Sequence, residues 1–227
     1  FVRAFLEDRS GGQVQSDYTI SNPYLFNVNN EIIQLYTKIG NIINDKQSVG
    51  TQTSLTLHNQ SAQFGNNIYS GKQESIFFNF IYQNQITERD LFKYGFSYSA
   101  DRFLESFDGR INKAFDLVKR VDLVSGIFSE HQYTSNRFNI ITGLRGDYYN
   151  IKKKVYISPR FNMKYNSSEQ TAIRVSIGKA FRISNVLSEN LYHLASSRDI
   201  VINDSLNPEV AWNYGVNFSY CFYLLNK

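Results

Sequence analysis

The chain has 227 residues, a mean hydropathy of −0.37 and a formal net charge of +4. No run approaches the roughly eighteen apolar residues that a membrane-spanning helix needs. Lys and Arg are scattered and not interleaved with aromatic residues as a nucleic-acid groove requires, so no nucleic-acid partner is expected. The single Cys, Cys221, excludes internal disulfides and a Cys-based metal site, and His58, His131 and His193 are too far apart for metal-ligand spacing. No Gly-x-Ser-x-Gly elbow, Gly-rich phosphate loop or triad spacing occurs, so neither a catalytic residue nor a cofactor is expected.

Aromatic residues make up 15 % of the chain, with 18 Phe and 16 Tyr. In chain order, Phe1–Asp8 reads as a strand, Arg9–Gly12 as a turn and Gln13–Asn30 as a polar loop. Alternating segments then follow at Glu31–Ile43, Val49–Asn59, Gln73–Thr87, Leu91–Phe103, Val121–Tyr133, Arg137–Tyr149, Val155–Tyr165, Thr171–Gly178 and Val210–Tyr223. The last is the clearest. Val210, Trp212, Tyr214, Val216, Phe218, Tyr220 and Phe222 fall on one face, opposite Ala211, Asn213, Gly215, Asn217, Ser219 and Cys221. Strands of soluble sandwiches run about five or six residues, whereas a tilted bilayer-crossing strand needs about nine to eleven, apolar outward and polar inward.

The connections support the same reading. Asn44–Ser48, Glu88–Asp90, Thr134–Asn136 and Asn166–Gln170 are tight turns rich in Asn, Asp and Ser. Gln60–Lys72, Leu104–Arg120 and Lys179–Glu209 are long links between them, and only Asn150–Lys154 is short where a long one is allowed. Short turns alternating with long loops mark a barrel with periplasmic and extracellular ends. The fold class is therefore all-β: part of an antiparallel transmembrane β-barrel, with about nine or ten strands of a larger one. An exported barrel needs a signal peptide, and Phe1-Val2-Arg3 offers none, so residues 1–227 read as a fragment of a single barrel domain.

Several residues carry more specific expectations. Phe77, Ile81, Phe128 and Ile141 fall on the polar face by parity, either at bulges or packed on something inside the barrel. Pro159 belongs near the extracellular end of its strand or at a bulge. Asn185–Ser196 carries Val186, Leu187, Asn190, Leu191 and Leu194 at helical spacing, with Ser184 or Asn185 as the cap. Asp101, Glu105, Asp108, Asp116 and Asp122 are mixed with Arg110, Lys113, Lys119 and Arg120, which reads as a solvated loop and not as a cation site. Glu130, Arg145, Asp147, Arg160 and Arg174 fall at inward positions, where they read as a mutually neutralising charge ladder.

An ordered series of motifs carries a family resemblance. Gly126-Ile127-Phe128-Ser129-Glu130, Gly143-Leu144-Arg145-Gly146-Asp147-Tyr148 and Ser158-Pro159-Arg160-Phe161-Asn162-Met163-Lys164-Tyr165 come first. Ile173-Arg174-Val175-Ser176-Ile177-Gly178-Lys179-Ala180-Phe181-Arg182, Ser188-Glu189-Asn190 and Leu206-Asn207-Pro208-Glu209-Val210-Ala211-Trp212-Asn213 follow. The series resembles the barrel of TonB-dependent outer-membrane receptors, best over residues 120–220, and residues 1–105 resemble the cobalamin-receptor branch most.

The resemblance implies a barrel of about twenty-two strands with a plugged lumen, in the outer membrane of a Gram-negative cell. It implies uptake of a scarce large nutrient of the siderophore, cobalamin or glycan class. The implied partners are outer-membrane lipids, a plug domain of the same full-length chain and the TonB complex reached through a missing N-terminal region. No plug, TonB box or terminal aromatic strand is visible here. In such a receptor Glu130, Arg145, Asp147, Arg160 and Arg174 would contact the plug, while Phe181, Arg182, Glu189, Pro208 and Glu209 would brace the base of the long loop. The alternative is a passive porin-like or structural barrel, or an inactive remnant.

Overall fold

The computed structural model describes residues 1–13, 24–108, 115–195 and 206–222, apart from the side chains of 115–118 and 194. They form ten strands: β1 (Val2–Gly12), β2 (Leu25–Asn44), β3 (Gln47–Phe64), β4 (Asn67–Gln85), β5 (Asp90–Asp108), β6 (Phe115–Thr134), β7 (Phe138–Tyr149), β8 (Lys154–Asn166), β9 (Thr171–Arg182) and β10 (Glu209–Tyr220). Each strand pairs antiparallel with its sequence neighbours in one open sheet of order β1 to β10. This is the partial all-β barrel that the alternation predicts.

The register converts alternation along each strand into bands across the sheet. One band runs Ile39, Thr51, Phe80, Phe96, Ile127, Gly146, Ile157 from β2 to β8. One residue along, the opposite face carries Lys38, Gln52, Asn79, Ser97, Gly126, Asp147, Tyr156. On the apolar face Ile127 is 72 % exposed and Leu144 56 % exposed, although both lie in strands paired on both sides. A soluble domain seldom leaves so broad an apolar surface uncovered. Lipid is the solvent that this face fits, since the ladders between the two edges satisfy most of the backbone polar groups.

One end of the sheet carries the turns at 45–46, 86–89, 135–137 and 167–170. The opposite end carries every longer connection, which marks it as extracellular. Several boundaries differ from expectation there. Gln60–Lys72 is not a loop: β3 and β4 stay paired up to Phe64 and Asn67 around the two-residue turn Gly65-Asn66. Gly65 takes φ +60, the conformation a hairpin turn with Gly at its first central position requires. Above the bilayer the outer face meets water and no longer has to be apolar, so the alternation fades while the backbone ladder continues. For the same reason β5 extends to Asp108 and β6 begins at Phe115, and the expected turn Arg9–Gly12 is strand paired with β2. Residues 14–23 of the expected polar loop, and Arg110 and Lys113, lie outside the described residues.

The four misfit apolar residues need no bulge. Phe77, Ile81, Phe128 and Ile141 pair in continuous register on the inner face; the sheet's register shifts fall elsewhere, at Ile42/Asn44 and Glu105/Phe107. Pro159 lies inside β8, where it pairs with Leu144 of β7. The ladder with β9 starts at Arg160, one residue later, so the proline with no N–H ends one ladder and not the strand.

Candidate functional site: the inner wall and the segment across its mouth

Inner-facing residues from β4 to β9 line a concave pocket of about 810 Å³, among them Asn79, Lys93, Asp101, Phe128 and Ser158. Two ion pairs stand in it. Arg145 donates from Nε to Asp147 Oδ2 at 2.7 Å and from an outer guanidinium nitrogen to Asp147 Oδ1 at 2.6 Å, and reaches Ser97 Oγ at 2.5 Å. This two-pronged pairing is the strong form of a guanidinium–carboxylate contact. Asp147 is 2 % exposed. A Cβ at Gly126, directly across the ladder, would overlap Asp147 Oδ1, so only glycine leaves room for the pair. Phe128 lies over Gly95 in the same way, with the Arg145 guanidinium 5.9 Å from its ring centre.

A second pair, Lys93 Nζ to Glu130 at 2.9 Å, spans β5 and β6. Asp101 accepts from the Ser75 hydroxyl and, at 3.4 Å, from Gln73. Toward the extracellular end Glu105 is buried and accepts from Tyr69 Oη at 2.8 Å, while buried Asp122 accepts from Tyr149 Oη at 2.8 Å and pairs with Arg120 at 2.9 Å. Burial first, and the Glu105 carboxylate second, push the Tyr69 phenol well above its ordinary pKa, so it stays a proton donor. Asp101, Glu105 and Asp122 are therefore wall residues and not a solvated loop, a correction that parity alone could have suggested. Asp116 has no described side chain. Among the described residues no cluster of His, Cys, Asp and Glu fits a metal ion.

After β9 the chain turns back over this wall. A short helix α1 (Val186–Glu189) and a 3₁₀ turn (Leu191–Ala195) replace the single helix expected over Asn185–Ser196. Asn185 occupies the N-cap without a side-chain bond; instead its N–H donates to Glu189 Oε1 at 3.0 Å. Leu187 is buried with Ala62 of β3, Tyr69 of β4 and Phe107 of β5, and Val28, Phe64 and Leu191 pack around them. A segment that leaves β9 thus seats on strands six to four places away, across the extracellular mouth of the concave face. Leu194 and Ser196 of the expected helix lie outside the described side chains.

Of the residues read as inward from the sequence, Glu130, Arg145, Asp147 and Arg160 border the 810 Å³ pocket together. Arg174 is separate, in a smaller cavity near the periplasmic end, where it donates to Asn217 at 3.3 Å and Ser219 at 3.1 Å. Of the loop-base residues, Arg182 pairs with Glu189 at 2.9 Å and Glu209 at 3.1 Å, tying both ends of the loop together. Phe181 stacks on Tyr156 with ring centres 4.5 Å apart, and Pro208 immediately precedes β10. Sequence reasoning missed Tyr69, whose partner Glu105 is 36 residues away, and Ser97, which meets Arg145 across 48 residues. A glycine two residues from an inward aromatic is the local signal that Tyr69 left, since Gly71 makes room for its ring.

The family model described as "TonB dependent receptor-like, beta-barrel" matches residues 3–224. The chain belongs to the TonB-dependent receptor β-barrel family. No curated protein sequence matches it. Among solved structures it is similar to the FrpB iron transporter from Neisseria meningitidis (F5-1 variant), at 14 % identity and TM-score 0.64 over 97 % of this chain and 40 % of that one. It is also similar to the copper transporter OprC, at 12 % identity and TM-score 0.57 over 87 % of this chain and 37 % of that one. At these identities the likeness is one of fold. The chain spans about two fifths of the length of the solved receptors, so its ten strands correspond to part of a TonB-dependent barrel.

Proposed function

We propose that this chain forms part of the wall of an outer-membrane receptor for TonB-dependent uptake of a scarce large nutrient of the siderophore, cobalamin or glycan class. It has no catalytic role in this reading. The observation that supports it is the inner wall: two of its ion pairs are locked, Lys93 with Glu130 and Arg145 with Asp147 and Ser97, and a glycine makes the niche for the second. A water-filled passive pore has no need of fixed, mutually neutral charge. A wall that must hold a folded plug and release it does need such a surface, because unpaired charges against a buried plug would cost several kcal/mol each. The plug of the same full-length chain and the TonB complex are then partners, with Glu130, Arg145, Asp147 and Arg160 facing the plug and Arg182, Glu189 and Glu209 bracing the loop above it.

The names of the two structural neighbours, iron and copper transporters, make metal chelates the first substrates to test. The test is uptake by cells that carry the intact gene, with and without a working TonB, alongside single-channel conductance of the purified protein. A plugged importer gives TonB-dependent uptake and near-zero conductance. Uptake that survives loss of TonB, with steady open conductance, would establish the porin alternative instead.

A further inference from the structure

The inner face carries a second hollow, of about 360 Å³, close to the periplasmic turns and apart from the larger pocket. One row of cross-strand partners crosses it: Asn139 of β7, Lys164 of β8, Arg174 of β9 and Asn217 of β10. Lys164 and Arg174 are therefore direct neighbours of like charge, about 5 Å apart at Cβ, an arrangement that by itself destabilises a sheet. One step toward the extracellular side, about 7 Å along the strands, Ile141, Asn162, Ser176 and Gly215 form the next row.

Neither row holds a carboxylate, also where it continues onto β6 as Thr134 and Gln132. Glu130 stands one row further up and two strands from β8, and Lys93 holds it at 2.9 Å. Glu169 lies on the exposed turn 167–170, in an adjoining hollow that Lys164 also borders. The Nδ2 group of Asn162 is buried without a hydrogen-bond partner. Arg174 uses one terminal nitrogen for both Asn217 and Ser219, which leaves its other N–H groups for a further acceptor. Two adjacent cations and an unsatisfied amide donor fit an anionic oxygen group. Carboxylate is the anionic group that both a folded segment inside a barrel and a metal-chelating nutrient can carry.

We propose that Lys164, Arg174 and Asn162 form a carboxylate-binding site at the periplasmic end of the inner wall. The inference rests on the plugged-lumen reading above and adds a ligand class to it. A bound carboxylate bridges the two cations and accepts from Asn162, which turns a repulsive pair into an attractive triad. It comes either from an Asp or Glu of the chain that fills the barrel or from a nutrient leaving it.

The experiment treats the purified full-length receptor with a water-soluble carbodiimide, which joins a lysine amine to a carboxylate in contact with it. It is run with and without ¹³C-labelled citrate, and the linked peptides are mapped by mass spectrometry. The Lys93–Glu130 link serves as the internal reference. Lys164 joined to an acidic residue of the plug identifies the first source. Lys164 that gains a citryl group only when citrate is added identifies the second. In R174Q either link should fall about tenfold against the reference, since one of the two cations is gone. Lys164 joined only to Glu169, or unlinked in both conditions while Lys93–Glu130 forms, would overturn the site, as would an unchanged link in R174Q. These outcomes strike the site alone, whereas TonB-independent uptake with open conductance strikes the receptor reading.

Discussion

The Arg145–Asp147 pair is predicted to act as one unit, and removing either member should cost nearly as much as removing both. Asp147→Ala deletes two charge-assisted hydrogen bonds, of 2.7 and 2.6 Å, and leaves the guanidinium with Ser97 alone. Loss of a partner from a fully buried pair costs about 3–5 kcal/mol. Arg145 is 37 % exposed, so water recovers part of that, and about 2 kcal/mol is expected. Arg145→Ala leaves Asp147, 2 % exposed, without its cation, at a similar cost. The double variant should then lie close to either single one, giving a coupling of about 1.5–2 kcal/mol in a double-mutant cycle. Thermal midpoints of the purified receptor in detergent, followed by circular dichroism at low and high salt, measure it. Additivity within about 0.5 kcal/mol would mean that the two side chains stand independently in solvent, and the picture of a locked wall would fail. Gly126→Ala supplies an orthogonal check: its Cβ would overlap Asp147 Oδ1, so it should be at least as damaging as losing the carboxylate.

Four further outcomes are expected. Ile127→Arg, on the lipid face, should cost about 2–4 kcal/mol in folding into vesicles, while Ser99→Arg on the inner face should cost under about 1; equal costs would reverse the assignment of faces. Tyr69→Phe orphans the buried Glu105 carboxylate and should lower stability by about 1.5–3 kcal/mol, a loss that Glu105→Gln in the same background should partly restore. Leu187→Ala should weaken the docking of the segment after β9 by about 2–3 kcal/mol, read as faster proteolytic nicking between residues 183 and 208 with the barrel still folded. At the periplasmic turn, the Thr87 hydroxyl first and His131 second hold the Asp90 carboxyl below the ordinary carboxylate range. Its contribution is therefore fully present above the unfolded value of about 3.9 and disappears as pH falls through the lower folded value. Asp90→Asn should reduce the thermal midpoint at pH 7 and converge with wild type at pH 2; a constant gap across that range would contradict the assignment.

What the sequence determined by itself is whatever depends on near neighbours. Side chains alternate with a period of two, so Val210–Phe222 alone showed which face meets lipid and which meets the lumen. Asn, Asp and Ser at Asn44–Ser48, Glu88–Asp90, Thr134–Asn136 and Asn166–Gln170 marked the tight turns, and Asn44, Ser135 and Ser168 accept from nearby backbone N–H groups there, as Thr87 does beside Glu88–Asp90. The inward positions of Arg145 and Asp147 follow from the same parity, two residues apart on one strand.

Tertiary structure decided what requires distant partners. Gln60–Lys72 lacks the regular apolar alternation of the bilayer-crossing segments, and only its ladder with the neighbouring strands makes it a hairpin standing above the bilayer, its Ala62, Phe64 and Tyr69 covered by a distant segment. Ser97 completing the Arg145 pair, Tyr69 satisfying Glu105 and Leu187 resting on β3 to β5 link residues 36 to more than 100 positions apart. No periodicity encodes such meetings, since they arise from strand order and from the curvature that brings opposite parts of one open sheet together.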